Sequence, residues 1–447
     1  MPGQLFTPLR LGAQGIQLAH RCVMAPLTRM RAFPGTNAAW AIHAEYYGER
    51  SSEGGLIIAE ASQISQQGQG YPSTPGCYTS AHAEGWRETT AAVHARGGRV
   101  FLQLWHVGRI SHACFQPGGT APVSASAVPA AGKALLPGGA VTDFPVPRAL
   151  APDEIAAIVE DYRSAAAVAK AAGFDGVELH AANGYLIDQF LCNGVNQRTD
   201  TWGGSCANRS RLLFAALDAL VSVWGAARVG IRLSPHDGIG PNDVRDSDPA
   251  TIYGHVLREL SARYGRSAGA ENELAYVHLI ETTRPFREGI ESNYLATHGF
   301  PMIAQYRPLF DGTVIGASGF TPEHAEWAVA PGSAVAPGPG QGGREGQGGR
   351  EPASLCDAVA FGRLFISTPD LPARIAAKQA PNQYDRGTFY TPGTEIARDG
   401  NPRRDAGDEA GLRALCEPGY TTYPTFASAT PEQLLDLARG GDAKAKL

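Results

Sequence analysis

The stretch His180-Ala-Ala-Asn183-Gly-Tyr185 puts an imidazole, a carboxamide and a phenol on one short segment, three side chains that can all donate hydrogen bonds near neutral pH. Further donors recur at Thr28, Gln103 and Arg232 and at the pair Gly362 and Arg363. Groups of this kind polarise an oxygen or steady a developing negative charge. They do not form a metal site: His180 has no second His or carboxylate at ligand spacing, and neither H-x-H nor H-E-x-x-H occurs. Schiff-base chemistry needs a lysine on a strand, and Lys133, Lys170, Lys378, Lys444 and Lys446 fall in loops, helices or the tail. Taken singly, a His or Arg on a strand is most often a satisfied structural group. Their recurrence at the ends of successive strands is what points to function.

Those strands are legible as eight short apolar runs: Cys22 to Pro26, Leu56 to Glu60, Val100 to Leu104, Gly176 to His180, Val229 to Leu233, Ala275 to Ile280, Thr313 to Ala317 and Asp357 to Phe361. Helical stretches separate most of them, at Ala83 to Arg96, Pro152 to Ala172, Asn208 to Trp224, Pro249 to Tyr264, Thr321 to Val329 and Pro369 to Ala377. Apolar strands alternating with amphipathic helices predict a parallel sheet covered by helices. Eight repeats make a (β/α)8 barrel the first expectation and a doubly wound open sheet the second. In a barrel the chemistry sits at the carboxyl ends of the strands. Thr28 then follows the first strand, Gln103 lies on the third, His180 on the fourth and Arg232 on the fifth. Gly362 and Arg363 follow the eighth, where barrels commonly hold a phosphate. The set suits a planar, phosphate-bearing cofactor; around a flavin, converging donors would stabilise the charge of the reduced ring.

Composition narrows the classes. The chain has 447 residues, 43% hydrophobic and 18% charged, which excludes a coiled coil or a highly charged disordered protein. A net charge of -5 offers no basic field for nucleic acid. Neither a secretory start nor an apolar run of membrane-spanning length is present, so a cytoplasmic protein without membrane contact is expected. Seven scattered cysteines without C-x-x-C indicate neither a disulfide framework nor a metal cluster. The expected organisation is a barrel over 1–392, interrupted by a flexible Gly/Pro-rich insert at 331–353, then a C-terminal extension over 393–447 with a polar insert at 393–418. The first insert joins a helix to the following strand, on the face of a barrel away from the chemistry.

The motifs MAPLTR at 24–29, EYY at 45–47, IIAEASQIS at 57–65, GYPSTPG at 70–76 and QLWHVGRISH at 103–112 resemble the Old Yellow Enzyme family of FMN-dependent ene-reductases, which includes the oxophytodienoate reductases. GFDGVELHAANGYLIDQF at 173–190, NQRTDTWGGS at 196–205, VGIRLSP at 229–235, DAVAFGRLFISTPDL at 357–371 and GYTTYP at 419–424 continue the match in family order. The resemblance implies a (β/α)8 barrel with non-covalent FMN, reduced by NADPH or NADH, that passes hydride to the activated double bond of an enone or enal. It also implies roles. Ala25, Pro26, Thr28, Ala61, Gln103 and Arg232 would contact the flavin ring; Ser318, Gly319, Gly362 and Arg363 would hold its phosphate. His180 and Asn183 would donate to the substrate carbonyl, and Tyr185 would protonate the α-carbon as general acid. Tyr71, Trp105 and Tyr390 would shape the pocket.

Departures from the family pattern are few. Asn183 stands where many relatives carry a second His, Ser318 where many have Gly, and Trp202 and Ala207 replace the more usual Tyr and Glu. Both inserts are additions, and the second, just beyond Tyr390, could alter access if it folds over the mouth. An oxophytodienoate-type or nitro-ester reductase would use the same site, while a flavin-free phosphate-binding isomerase or a non-catalytic flavin-binding protein stands further off. The expected assembly is a monomer or homodimer.

Overall fold

The computed structural model describes residues 3–281, 283–284, 292–293, 301–333, 354–390, 393–397 and 407–425. Eight strands close into a barrel: β1 Cys22–Met24, β2 Leu56–Gln63, β3 Arg99–Trp105, β4 Gly176–Ala181, β5 Val229–Leu233, β6 Tyr276–Ile280, β7 Val314–Ala317 and β8 Ala358–Phe361. Each pairs in parallel with its sequence neighbours, and β8 returns to β1 through Val359–Cys22, Ala360–Val23 and Phe361–Met24.

The strands are apolar on both faces because both are covered. Val23, Ile58, Phe101, Tyr276, Ile315 and Ala358 fill the barrel interior, joined by Leu9, Leu11, Ile16 and Leu18. These last four come from a small antiparallel hairpin, Leu9–Arg10 with Gln17–Leu18, that closes the interior. The alternate residues Cys22, Met24, Ile57, Val100 and Leu102 face the helical shell.

That shell contains α1 Ala41–Glu49, α2 Ser80–His94, α3 Pro152–Ala171, α4 Leu186–Leu191, α5 Arg211–Trp224, α6 Pro249–Tyr264, α7 Met302–Tyr306, α8 Pro322–Ala328, α9 Arg363–Ser367, α10 Leu371–Ala376 and α11 Glu409–Cys416. Local chemistry marks their starts. The Thr79, Asp248 and Thr321 side chains accept from the backbone N–H three residues on, and α3 opens on Pro152 with Glu154 reaching back to Ala151 N at 2.8 Å. In α5, Leu212, Leu213, Leu217 and Leu220 bury one helical face.

All eight strands lie where the apolar runs place them, most within one residue at each end, with two larger changes. β1 stops at Met24, although Ala25 N still donates to Phe361 O at 3.0 Å. β2 runs on to Gln63 because a bulge between Ala59 and Ser62 lets one extra residue oppose β3. Helices α1, α4, α7, α9 and α11 are not among the helical stretches evident in the sequence. The buried side of α1 includes His43, Tyr46 and Tyr47 rather than an aliphatic stripe, and α7 is a single short turn.

The Gly/Pro-rich insert at 331–353 lies outside the described residues beyond 333. Of the polar stretch 393–418, residues 398–406 also lie outside, but the remainder packs on the barrel: Ile396, Leu412 and Cys416 are fully buried, as is Tyr420 just beyond it. Three buried arginines make this possible. Arg29 donates to Gly419 O at 2.8 Å, Arg31 to Cys416 O at 2.9 Å and Arg50 to Tyr420 O at 3.0 Å. Tyr420 stacks on Tyr46 with centroids 3.9 Å apart and planes within 2°, and Arg50 lies 3.8 Å over the Tyr46 ring. A segment poor in apolar side chains is thus held by cation–carbonyl and cation–ring contacts. Its carbonyls are read by side chains that follow β1.

Candidate active site

The fourth βα unit builds the centre. β4 carries His180 to the end of the strand, where Ala182 N donates to Nδ1 at 3.3 Å. With Nδ1 accepting, the ring proton sits on Nε2, which has no protein partner among the described residues. Burial, then Arg232 and His278 nearby, hold the imidazole well below its usual pKa, so it is neutral across the physiological range. His180 is therefore a fixed N–H donor.

The chain then turns sharply. Asn183 and Gly184 both adopt positive φ, 57° and 75°, and a Cβ at Gly184 would collide with the Pro241 carbonyl. Asn183 N donates to Ser234 Oγ and its carbonyl accepts from Asn242 Nδ2, both at 2.7 Å, while its carboxamide makes no bond among the described residues. Tyr185 follows as the residue capping α4. Its ring meets His180 edge-on at 5.1 Å and Trp105 at 4.8 Å, and its hydroxyl lies 3.1 Å from that of Tyr71. Tyr71 in turn stacks on Trp105, centroids 5.9 Å apart. Burial pushes the Tyr185 phenol well above its usual pKa, so it keeps its proton. Ala61, placed in the bulge of β2, joins Trp105, Val107, Ile110 and Ala130 in an apolar patch against which Tyr71, Phe144 and Tyr185 pack.

Behind this front lies a buried polar network. Gln103 Nε2 donates to Glu178 Oε1 at 2.6 Å, and His278 Nδ1 lies 2.9 Å from Glu178 Oε2. Strand register sets Arg232 between His180 and His278. Its Nε is buried with no partner among the described residues.

The remaining expected positions fall in two places. Ala25 and Pro26 are buried, and Thr28 half-buried, in the loop after β1. Ser318 and Gly319 follow β7 with φ of 77° and 74°, two successive left-handed residues, and Gly362 and Arg363 follow the adjacent β8. Arg363 donates to Tyr384 OH at 3.1 Å and lies over its ring. Tyr390 is 54% exposed; it sits near enough to Tyr71 and Tyr185 to make ionising either one harder.

Several contributors escaped the sequence reading. Glu178 orients Gln103, and its signal was a carboxylate inside the apolar run G-V-E-L-H. Asp188 accepts from Gly184 N at 2.8 Å and Tyr253 OH at 2.7 Å, and Gln189 Nε2 donates to Val107 O and Gly184 O at 3.0 and 2.9 Å. Those two tie the loop bearing Asn183 and Tyr185 to α6 and to the loop after β3. The signal was a polar pair in the run L-I-D-Q-F. Phe144 and Tyr384 carried no sequence signal.

A flavin fits what these residues leave unused. The Arg232 Nε, buried without a partner among the described residues, and the Gln103 carboxamide, steadied by Glu178, are polar groups of the kind a flat, polar-edged ring would need. The left-handed pair Ser318 and Gly319 exposes backbone N–H groups beside Gly362 and Arg363, an arrangement that suits a phosphate. Among the described residues no group of three His, Cys, Asp or Glu side chains is placed to hold a metal ion.

Comparison with known proteins agrees with this chemistry. The sequence model of the NADH:flavin oxidoreductase / NADH oxidase family matches residues 4–335. Flavin oxidoreductase hxnT of Emericella nidulans is 41% identical over 399 residues, covering 86% of this chain and 94% of that protein. The 12-oxophytodienoate reductase 1 of Oryza sativa subsp. japonica is 41% identical over 387 residues, 87% of this chain and 90% of its own length. Among solved structures, morphinone reductase in complex with tetrahydroNAD superposes with a TM-score of 0.74 at 38% identity, covering 95% of this chain and 98% of that one.

Proposed function

The chain belongs to the NADH:flavin oxidoreductase / NADH oxidase family, the Old Yellow Enzymes, and from that premise we propose how its own residues carry the family's reaction. It is an FMN-dependent NAD(P)H oxidoreductase of the ene-reductase type, acting on the activated C=C bond of α,β-unsaturated carbonyl compounds. Bound FMN supplies a two-electron hydride relay between the nicotinamide and the alkene.

Ala25, Pro26, Thr28 and Ala61 form the surface for the ring, with Gln103 and Arg232 along its polar edge. Ser318, Gly319, Gly362 and Arg363 hold the phosphate. His180 Nε2 and the Asn183 carboxamide donate to the substrate carbonyl oxygen, drawing electron density from the β-carbon that accepts hydride. Tyr185 gives its proton to the α-carbon. Tyr71, Trp105 and Tyr390 shape the space around the substrate. A cyclic enone of the oxophytodienoate type is compatible with this site, as the rice relatives' name would have it. No helix among the described residues is long and apolar enough to cross a membrane. We place the protein in the cytoplasm, as a monomer or homodimer.

The observation that carries this reading is the His180 ring itself, neutral, with Nδ1 occupied by Ala182 N and edge-on to Tyr185. The test separates the half-reactions. In anaerobic stopped flow, Tyr185→Phe should leave flavin bleaching by NADPH within about twofold of wild type and slow reoxidation by cyclohexenone by roughly 100-fold, the usual weight of a general acid. Equal slowing of both half-reactions would remove Tyr185 from the proton-donor role.

A further inference from the structure

On the ene-reductase reading above, each turnover strips the proton from Tyr185, and something must restore it. His180 is poorly placed to do so: it meets Tyr185 edge-on, its Nδ1 accepts from Ala182 N, and its Nε2–H serves the substrate oxygen. Asn242, the other polar neighbour, is an amide with no proton to cede, and its Nδ2 is already bonded to the Asn183 carbonyl at 2.7 Å. Tyr71 is different. Its hydroxyl lies 3.1 Å from the Tyr185 hydroxyl, within hydrogen-bond reach.

We propose that Tyr71 is a proton-relay residue, which donates to the Tyr185 oxygen as the Tyr185 proton leaves and passes on a replacement from solvent. The bonds balance without any redox partner. The Tyr185 O–H bond breaks as the α-carbon gains its C–H; the Tyr71 O–H bond breaks as the Tyr185 O–H re-forms; water then returns a proton to Tyr71, with hydroxide or buffer base as the final product.

Two features of the fold support it. Tyr71 is held in register, its ring parallel to Trp105 within 9° and its carbonyl bonded by Gln69 Nε2 at 3.1 Å and Thr74 Oγ1 at 3.2 Å. It is also half-buried rather than sealed, with the exposed Tyr390 close enough to act on it electrostatically, so solvent can reach the pair from the Tyr71 side. Burial pushes both phenols up, Tyr71 to about 12, so each keeps its proton until its neighbour's leaves.

Tyr71→Phe keeps the ring and its stacking and removes only the hydroxyl. Stopped flow on the FMN-loaded enzyme, with Tyr185→Phe run in parallel, should show reoxidation by cyclohexenone slowed about tenfold in Tyr71→Phe, a fraction of a full general-acid effect and a larger loss than in NADPH bleaching. In mixtures of H2O and D2O, the reoxidation rate of wild type should curve with deuterium fraction, reporting two protons in flight, and that of Tyr71→Phe should be linear. Unchanged reoxidation in Tyr71→Phe beside a large loss in Tyr185→Phe overturns the relay alone, as does a curved plot in Tyr71→Phe. Unchanged reoxidation in Tyr185→Phe overturns the proton-donor reading and the relay with it.

Discussion

At Ser318 the backbone has φ of +77°, a region that a residue with a Cβ enters at a cost of about 1 kcal/mol or more. The family resemblance sets a serine where many members have glycine; the structure shows what the position asks for. If the loop serves the phosphate through backbone N–H groups, the hydroxyl is dispensable. Ser318→Gly should then leave FMN affinity within about twofold and stability within roughly 1 kcal/mol, strain relief offsetting the added freedom of glycine in the unfolded chain. A tenfold loss of FMN affinity, read by fluorescence on titrating apoprotein, would instead make the hydroxyl a ligand. His180 teaches the same lesson. Its type and place at the end of a strand can be read from H-A-A-N-G-Y, but its tautomer depends on where Ala182 N points, and that exists only once the turn at Asn183 and Gly184 has formed.

The element that matters most is the strand–turn–helix unit of β4 and α4. Its turn is held from behind by Asp188, buried and bonded to Gly184 N and Tyr253 OH. Burial pushes this carboxyl up to about 6. Its folded pKa thus exceeds its unfolded value of 3.8, so its contribution to stability is full below 3.8 and is lost as pH rises through 6. The ionised carboxylate favoured above pH 6 serves the loop at some cost to folding, and Asp188→Asn should unfold no more easily at pH 7.5. The variant should lose about tenfold in kcat/KM for enone, one weakened buried bond, while retaining FMN. Wild-type turnover should fall as pH drops below about 6, when Asp188 gains a proton, and that limb should vanish in Asp188→Asn. A limb that persists in the variant would show that another group titrates there. The strands were legible because barrel strands are apolar on both faces. The supports of the turn were not, because Asp188 and Gln189 sit in an apolar run and their roles show only through bonds to Gly184, Tyr253 and Val107 that form with the fold.

Across the whole molecule, eight apolar runs closing in sequence order made the barrel readable, and its strand ends supplied most of the candidate residues. What stayed hidden was how the chain's end returns. Polar composition over 393–418 reads as an appendage, yet Arg29, Arg31 and Arg50 fasten Cys416, Gly419 and Tyr420 beside the loop that carries Thr28. Carbonyl recognition of this kind leaves no periodic trace in a sequence. The glutamate network through Gln103, Glu178 and His278 is hidden for a similar reason, since it joins β3, β4 and β6 across the barrel. All of this scaffolding converges on one claim: a neutral His180, fixed as an Nε2–H donor, grips the substrate oxygen. The measurement that tests it most directly is the affinity of cyclohexenone for the oxidised, FMN-loaded enzyme, followed by perturbation of the flavin absorbance between pH 8 and 5. Because His180 is held well below its usual value, the wild-type affinity should stay level from pH 8 to 6.5 and show no tightening below it. His180→Ala should weaken binding by roughly 5- to 100-fold throughout, about 1 to 3 kcal/mol, the cost of leaving a buried acceptor without its donor. Affinity that tightens as pH falls through 6.5 would reveal a titrating imidazolium, and unchanged affinity in His180→Ala would remove this histidine from the substrate's oxygen altogether.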